Sequence, residues 1–264
     1  MAELEKKEYK SFVFTHIPKC GGTSFRKYVN DSAVDSGIQL KNIYIPGING
    51  LKNDKNLPQL DKTELQAIQD IDLKVLANHC KFEENIGLGI TPNAPYHFTI
   101  LRDPVKRFIS HYHFFYYTLG YNNCKGVRLD ELSEKNFSFL IEKLGNIQTG
   151  YLSNIKFKKI VGLENMLKIS KYNLQYEFGS FGLVEDMETT LELLRSTIPD
   201  WLNLTGDFPN LNISNSMKVD LPEEIISRIS EANKYDLELY EFAKDLFYKL
   251  HSSIKTYNSV KETE

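Results

Sequence analysis

The sequence predicts an α/β fold in which a central, mostly parallel sheet is flanked by helices. Short β-type runs alternate with helical patterns along the chain, and 41% of the 264 residues are hydrophobic, enough for a substantial core. No internal repeat interrupts this alternation. We therefore expect one domain over residues 1–264, with polar, flexible tails at about residues 1–10 and 255–264.

The predicted strands are short apolar runs, and the predicted helices follow from apolar spacing and terminal residues. Pro104 suits the first turn of one helix, and Gly145 and Pro199 end two others. Asp220 and Glu223 form a capping box at the start of the longest helix. Apolar stripes on these helices are expected to face the core. The predicted strands cover residues 11–16, 73–79, 96–101 and 180–184, and the predicted helices cover residues 23–30, 103–119, 137–144, 187–198 and 220–246.

Charge and cysteine content exclude several classes of protein. Lys and Arg total 32 and Asp and Glu total 35, which gives a formal charge of −3 and no basic excess for a nucleic-acid partner. The cysteines Cys20, Cys80 and Cys124 are too few and scattered for a disulfide framework or a cysteine-rich zinc site, so we expect a reducing compartment. His111 and His113 have the wrong spacing for a helical metal pair, so no metal is expected.

The termini and the hydropathy predict no signal peptide and no membrane span in this chain. The N-terminal segment alternates Glu and Lys, and no stretch approaches the roughly 20 apolar residues that a span requires. We therefore expect a cytoplasmic protein. A Golgi enzyme trimmed of its membrane anchor would have the same features and stays as the alternative.

Two long segments resist assignment to helix or strand. Residues 41–62 are rich in Asn, Gly, Pro and Lys, and residues 120–130 have a similar composition. Loops of this length in one domain tend to be functional or mobile. The hypothesis is that both loops border the binding site of an acceptor substrate.

The first candidate site is the turn that follows the predicted strand 11–16. Gly21 and Gly22 allow backbone N–H groups to curl around an anion at a helix N-terminus. Thr23 and Ser24 add hydroxyl donors, and Lys19 adds a positive charge. The combination favours a phosphate or sulfate site over an ordinary turn with a solvated lysine. The P-loop signature of nucleotide triphosphatases places Lys after the glycines, so that signature does not match.

The second candidate site lies at the end of the predicted strand 96–101. Arg102 stands at the strand end, where ligands bind in open α/β sheets, and Ser110 follows about two helical turns later. Arg102 can hold a phosphate with two hydrogen bonds, and the Ser110 hydroxyl can donate to the same group. Asp103 is interpreted as a helix cap, whereas Lys106 and Arg107 are interpreted as a solvated face.

Together the two motifs resemble the PAPS-dependent sulfotransferases, where PAPS is 3′-phosphoadenosine 5′-phosphosulfate. The similarity is to the carbohydrate-type branch that includes the uronyl 2-O-sulfotransferases, and it lies in residues 16–24 and 101–112. Cys20 departs from the Thr that is common at that position in relatives. Weaker similarities occur at residues 148–152, 182–185, 212–214 and 236–240.

The resemblance implies a P-loop-like three-layer sandwich that transfers a sulfuryl group in line from PAPS to a hydroxyl, without a metal, and releases adenosine 3′,5′-bisphosphate (PAP). It implies that Lys19 contacts the oxygen bridging phosphate and sulfate, and that Arg102 and Ser110 hold the 3′-phosphate. It also implies that Asn212 and Ser214 close over the adenine end. The residues expected to bind the donor are Lys19, Cys20, Gly21, Gly22, Thr23, Ser24, Arg102, Ser110, Asn212 and Ser214.

His79 is the candidate general base. It closes the predicted strand 73–79 at the sheet edge of the anion sites, and relatives with the Lys-Gly-Gly motif commonly carry a catalytic His after their second strand. An ordinary imidazole pKa near 6.5 suits proton abstraction around neutral pH. A structural His79, or Glu83 or Glu84 as the base, stays open. The other histidines are interpreted as loop-shaping or packing residues: His16, His97, His111, His113 and His251.

These features predict a sulfotransferase that acts on a hydroxyl acceptor, with a carbohydrate or polysaccharide as the expected partner. A nucleotide or sugar kinase with an atypical phosphate loop is the first alternative, and it would show magnesium-dependent ATP binding. A non-catalytic module that keeps the fold is the second alternative. Lys19 and His79 argue against that module.

Overall fold

Five parallel strands form the central sheet of the computed structural model, which describes residues 8–45, 72–84, 92–154, 161–209 and 220–261. The strands are β1 (Ser11–Thr15), β2 (Ile43–Tyr44), β3 (Val75–Asn78), β4 (Pro95–Leu101) and β5 (Phe178–Leu183). Their order across the sheet is β2-β3-β1-β4-β5, and every pairing is parallel. The four predicted strands are therefore confirmed. The interpretation of residues 41–62 as loop is wrong at β2, a strand too short for periodicity to indicate.

Eight α-helices and a π-helix are found in the described ranges. They are α1 (Gly22–Asp35), α2 (Pro104–His111), the π-helix (Tyr112–Thr118), α3 (Glu134–Leu144), α4 (Ile147–Leu152), α5 (Leu163–Tyr176), α6 (Met187–Thr197), α7 (Glu223–Ala232) and α8 (Lys234–Lys261). The single helix predicted over 103–119 is thus an α-helix that continues as a π-helix. The sequence analysis did not predict α4 or α5. Short 3-10 turns include Leu40–Asn42, Tyr121–Asn123, Leu129–Glu131 and Val184–Asp186.

The longest predicted helix is broken at Asn233. This residue has non-helical dihedrals, with φ −111° and ψ 20°, and its buried amide accepts the Asn146 N–H and donates to the Ile229 carbonyl. The predicted capping box is also wrong, because α7 begins after Pro222 without a side-chain cap. Helix α8 then continues to Lys261, so most of the segment expected to be a polar tail is helical.

Helices cover both faces of the sheet, which confirms the predicted three-layer arrangement. On one face, Phe12, Phe14 and Phe98 of the sheet pack with Phe25 of α1 and Leu194 of α6. A second core on the opposite face joins β5 to α5 and α8 through residues such as Phe181, Leu167, Leu239 and Phe247. A third cluster packs α2, α3 and α7 together through Phe108, Phe137 and Ile229. None of the described helices is both long and apolar enough to span a membrane.

Candidate active site

The carboxyl ends of four neighbouring strands carry the candidate functional residues. His79 follows β3, the Lys19 turn follows β1, Arg102 follows β4 and Glu185 follows β5, in the order of the sheet itself. Parallel strands end at one edge, so motifs far apart in sequence meet there. The tertiary fold thus brings the predicted first and second sites together with the predicted base.

The turn between β1 and α1 presents backbone N–H groups rather than side-chain caps. Gly21 is the N-cap residue of α1 with φ 72°, and no side chain caps this helix. Lys19 also has a left-handed backbone, with φ 68°, which is uncommon for a residue with a side chain. Such strain concentrates at functional sites. The first turn of α1 therefore directs its N–H groups and its positive dipole end toward the sheet edge. Thr23 is exposed in this turn and Ser24 is buried.

Gly22 is required because the His16 ring occupies the space beside it. A β-carbon at Gly22 would lie 2.0 Å from Cδ2 of His16. His16 is buried and stacks on His79, with ring centroids 3.7 Å apart. Burial, followed by the charges of His79, Arg26 and Lys19, lowers the pKa of His16 well below its ordinary value. His16 is therefore neutral, and it shapes the turn from inside as the sequence predicted.

Lys19 is the central cation of the site. Its Nζ lies 4.1 Å from the centroid of the Phe114 ring, a cation–π contact with the π-helix. Burial, and then the charge of Arg102, lower the pKa of Lys19 to about 8. The ammonium is still mostly protonated at neutral pH. Cys20, next in sequence, is buried, and burial raises the pKa of its thiol to about 12, so it is no nucleophile at neutral pH.

Arg102 is fastened to the first site and to α4. Its Nη1 donates to the Lys19 carbonyl at 3.1 Å. The Gln148 amide accepts the Arg102 N–H at 3.0 Å and donates to the Arg102 carbonyl at 2.9 Å. The buried Nε of Arg102 has no partner within the described ranges. This guanidinium is therefore positioned beside Lys19 with a donor available for an anion.

Helix α2 begins two residues after Arg102 and carries Ser110. The Asp103 carboxylate accepts the Lys106 N–H at 2.8 Å, so Asp103 is the cap that the sequence indicated. Ser110 lies in the last turn of α2 and is half-buried. Lys106 is exposed, as expected.

The interpretation of Arg107 as part of a solvated face is wrong. Its side chain is 0% exposed, and Nη2 donates to the Leu144 carbonyl at 2.5 Å. Burial lowers the pKa of Arg107, whereas the nearby Asp236 carboxylate raises it. The reason is packing: α3 and α7 cover this face of α2, and Arg107 is only one residue, about 100° around the helix, from the exposed Lys106.

His79 is oriented by the turn that it faces. Its Nδ1 lies 3.1 Å from the His16 carbonyl oxygen. A carbonyl can only accept, so Nδ1 carries the proton and the lone pair resides on Nε2. The His79 side chain is exposed just beyond the end of β3. Of the alternative bases, Glu84 accepts the Lys81 N–H at 3.1 Å within its own turn, and Glu83 is exposed with φ 56°.

Residues from three of the four segments with weaker sequence similarity lie together behind the site. The buried Asp236 carboxylate accepts the N–H groups of Gln148 and Thr149, at 3.0 and 2.7 Å, and so caps α4. Glu185 accepts the Asp103 N–H at 3.2 Å and the Tyr240 hydroxyl at 2.8 Å. The fourth similarity, with Asn212 and Ser214, lies outside the described residues.

Sequence reasoning missed the roles of Gln148 and Phe114. Gln148 stands in one of the weaker sequence similarities, at residues 148–152, but that similarity does not indicate the contact, and one aromatic among many carries no local signal. His111 packs against Phe115, with ring centroids 4.7 Å apart, as expected. Burial, and then the charges of Arg107, Lys19 and His79, lower the pKa of His111 to about 3, so its ring is neutral beside the site.

The loop over residues 120–130 packs on the π-helix. The Tyr121 and Phe115 ring centroids are 5.6 Å apart, and the Gly126 N–H donates to the Tyr117 carbonyl at 2.9 Å. Residues 46–62 of the other predicted loop lie outside the described ranges. The loop over 120–130 is therefore joined to the helix whose Phe114 contacts Lys19.

The comparisons with known proteins agree on one family. The model of the family described as "Sulfotransferase family" matches residues 5–243. The heparan-sulfate 6-O-sulfotransferase 2 of Danio rerio is 28% identical, over 89% of this chain and 57% of that protein. The heparan sulfate 2-O-sulfotransferase 1 of Gallus gallus is 24% identical, over 92% and 72% respectively. A Caenorhabditis elegans heparan sulfate 2-O-sulfotransferase is 25% identical, over 90% and 78%. The chain thus spans little more than half of the first relative's length.

Proposed function

Since this chain belongs to the sulfotransferase family, we propose that it transfers a sulfuryl group from PAPS to a carbohydrate hydroxyl. The observation that carries the proposal is that Arg102 is hydrogen-bonded to the Lys19 carbonyl at the uncapped N-terminus of α1. His79 follows β3, the strand next to β1 in the sheet. The comparisons give the kinase alternative no support. The predicted family is confirmed, and both 2-O and 6-O relatives match.

The residues at the sheet edge fit a donor that carries two anionic groups. Backbone N–H groups of Gly21, Gly22, Thr23 and Ser24 stand at a positive helix end, which suits the 5′-phosphosulfate. Arg102 retains a buried Nε without a described partner, which suits a second phosphate. In this proposal Ser110 assists Arg102, Cys20 contributes only backbone, and Asn212 and Ser214 stay predictions.

Lys19 and His79 divide the chemistry between them. The donor supplies an activated sulfuryl group whose leaving group is the 5′-phosphate of PAP. His79 Nε2 accepts the acceptor's hydroxyl proton as the new O–S bond forms. Lys19 donates to the bridging oxygen, and its charge balances the negative charge that this oxygen gains as the old S–O bond breaks. The turn itself orients both groups, because the His16 carbonyl holds the His79 ring and Arg102 holds the Lys19 carbonyl.

We take the acceptor class from the relatives and propose a glucosamine- and uronate-containing polysaccharide of the heparan type. The relatives' names include both 2-O and 6-O transfer, so the proposal covers either hydroxyl. The cytoplasmic location expected from the sequence stays a prediction.

Labelled-sulfate transfer from PAPS tests the proposal. The acceptor panel contains N-sulfated heparosan, chondroitin, a phenol and a simple alcohol, and a parallel reaction supplies ATP with magnesium. We expect transfer to the heparosan derivative without added metal, and tight binding of PAP in the presence of a chelator. Binding of ATP with magnesium but not of PAP would reverse the assignment.

A further inference from the structure

We propose that Phe114 is a specificity-determining residue whose ring forms the acceptor side of the active site and stacks on the apolar face of the sugar ring being sulfated. This inference rests on the proposed function. It adds to that function a residue outside the two sequence motifs, on a helix type that the sequence did not predict.

The first observation is the position of Phe114 relative to the reacting bond. Its ring centroid lies 4.1 Å from the Nζ of Lys19, the group that contacts the bridging oxygen in the proposed mechanism. A ring at this distance from Lys19 is also close to the sulfuryl group in transfer. The acceptor sugar must approach that same group, so it must approach Phe114.

The second observation is exposure. Phe114 is 44% exposed, although its ring contacts the half-buried Lys19. Leu119 and Tyr121, which follow the same helix, are also exposed, at 50% and 45%. An open aromatic face beside a cation is typical of a binding surface, where aromatic rings supply contact area and a few polar groups supply orientation.

The third observation is that Phe114 is held in place. Its ring packs edge-on against Phe115, with centroids 4.9 Å apart, and Phe115 in turn contacts His111 and Tyr121. The Phe114 carbonyl accepts the Leu119 N–H at 3.2 Å, five residues on, in the π-helical pattern. π-Helical turns are rare in proteins, and those that occur are often found at functional sites. The ring is therefore a preorganised platform.

The chemical class of ligand follows from the platform. A pyranose presents C–H groups on its ring faces and hydroxyls around its rim. An aromatic ring can pack on such a face while the rim hydroxyl points toward the sulfuryl group and His79. Phe114 would therefore favour a pyranose over a small alcohol, which cannot cover the ring.

The test compares three variants with the wild type: Phe114→Ala, Phe114→Trp and Phe139→Ala. Phe139 is the matched control, because it is 38% exposed and its ring lies 5.8 Å from the Nζ of Lys143, away from the sheet edge on α3. The KM for N-sulfated heparosan, the kcat and the Kd for PAP are measured for each protein. If thermal unfolding shows that Phe114→Ala is not folded, Phe114→Leu is used in its place.

We expect Phe114→Ala to raise the KM for the polysaccharide about tenfold, a size usual for a central aromatic contact. The Kd for PAP should change less than about twofold, and Phe114→Trp and Phe139→Ala should resemble the wild type. Wild-type transfer with an unchanged KM in Phe114→Ala overturns this inference alone. Weaker PAP binding with an unchanged KM also overturns it, since Phe114 would then act only through Lys19. No transfer by the wild type overturns the proposed function and this inference with it.

Discussion

Two strand-to-helix units of the same topology, β1–α1 and β4–α2, end at the same sheet edge but are built differently. Helix α1 has no side-chain cap, and left-handed Lys19 and Gly21 lead into it, so no capping side chain occupies its N-terminal end. Helix α2 is capped by Asp103, whose carboxylate already accepts an N–H of the first turn, that of Lys106. The β1–α1 unit can thus bind an anion with its backbone, whereas the β4–α2 unit must use the side chain of Arg102.

This difference explains why the second unit needs more support. A backbone cradle is positioned by the helix itself, but an arginine side chain has several rotatable bonds. Gln148 clamps the backbone of Arg102, and Asp236 caps the helix that carries Gln148. The backbone of the turn before α1 is positioned by the helix itself. Arg102 instead depends on the buried hydrogen bonds behind β4 for its position.

The largest expected effect concerns the only side-chain cation of the first motif. Lys19→Ala should lower kcat about 10²- to 10³-fold, the usual cost of removing one group that stabilises transition-state charge. Because backbone N–H groups remain, the Kd for PAP should change much less. Single-turnover transfer and calorimetric PAP binding measure the two effects. A wild-type rate in Lys19→Ala would falsify the assigned role.

The pH dependence should follow the same lysine. With a pKa lowered to about 8 in the free protein, Lys19 is charged below that pH and loses its charge above it, so kcat/KM for PAPS should fall roughly tenfold between pH 7 and pH 9. Its effect on stability has the opposite sign. Folding disfavours the protonated form, so stability should rise with pH between about 8 and 10.5, the window between the folded and ordinary pKa values.

Two readouts check this sign difference. The pH profile of kcat/KM for PAPS is measured for the wild type and for Lys19→Arg, which should lose the alkaline fall because arginine stays protonated. Urea unfolding of the wild type and Lys19→Met across the same range isolates the stability term. A flat wild-type profile to pH 10 would contradict the prediction.

Gln148→Leu tests the support of the second unit. The substitution leaves the Arg102 N–H and carbonyl without their partner, which should cost about 1–3 kcal/mol of stability. We expect the Kd for PAP to rise about five- to tenfold, since Arg102 loses its fixed position. Asn173→Leu is the control, because Asn173 also bonds a backbone carbonyl, that of Leu152, at the opposite end of α4 from Gln148. Equal effects of both variants on PAP binding would count against the clamp.

The smallest effect is expected at the cap of α2. Asp103→Ala should lower the free energy of unfolding by about 1 kcal/mol and leave the Kd for PAP nearly unchanged, because the cap stabilises only its helix. Asp186→Ala, which removes the cap of α6 at Thr189, should have a similar effect on stability. A large loss of PAP binding in Asp103→Ala alone would show that the two units are less different than their caps indicate.

The conformation of the turn between β1 and α1 was predictable because its determinants are local. The strand, the glycine pair and the lysine lie within a dozen residues, and a turn between a buried strand and a helix leaves few conformations for them. Asp103 as a cap was predictable for the same reason. His79 and Arg102 were placed at one edge because parallel strands end together.

The predictions were wrong where contacts with segments distant in sequence determine the structure. Arg107 is buried because α3 and α7 pack on α2, a contact that the local pattern of α2 does not contain. The break at Asn233 depends on Asn146, 87 residues away, which supplies the N–H that the Asn233 amide accepts. Periodicity reports which face of a helix is apolar, but not which other element covers its polar side chains.

By itself the sequence determined the α/β alternation, the glycine-containing turn between β1 and α1 and the residues at each strand end, because short-range stereochemistry and hydrophobic spacing specify them. The tertiary structure alone decided that Gln148 clamps Arg102, that Asp236 caps α4 and that Phe114 covers Lys19. Each of these contacts joins segments that only the packing of helices on the sheet brings within hydrogen-bond or van der Waals distance.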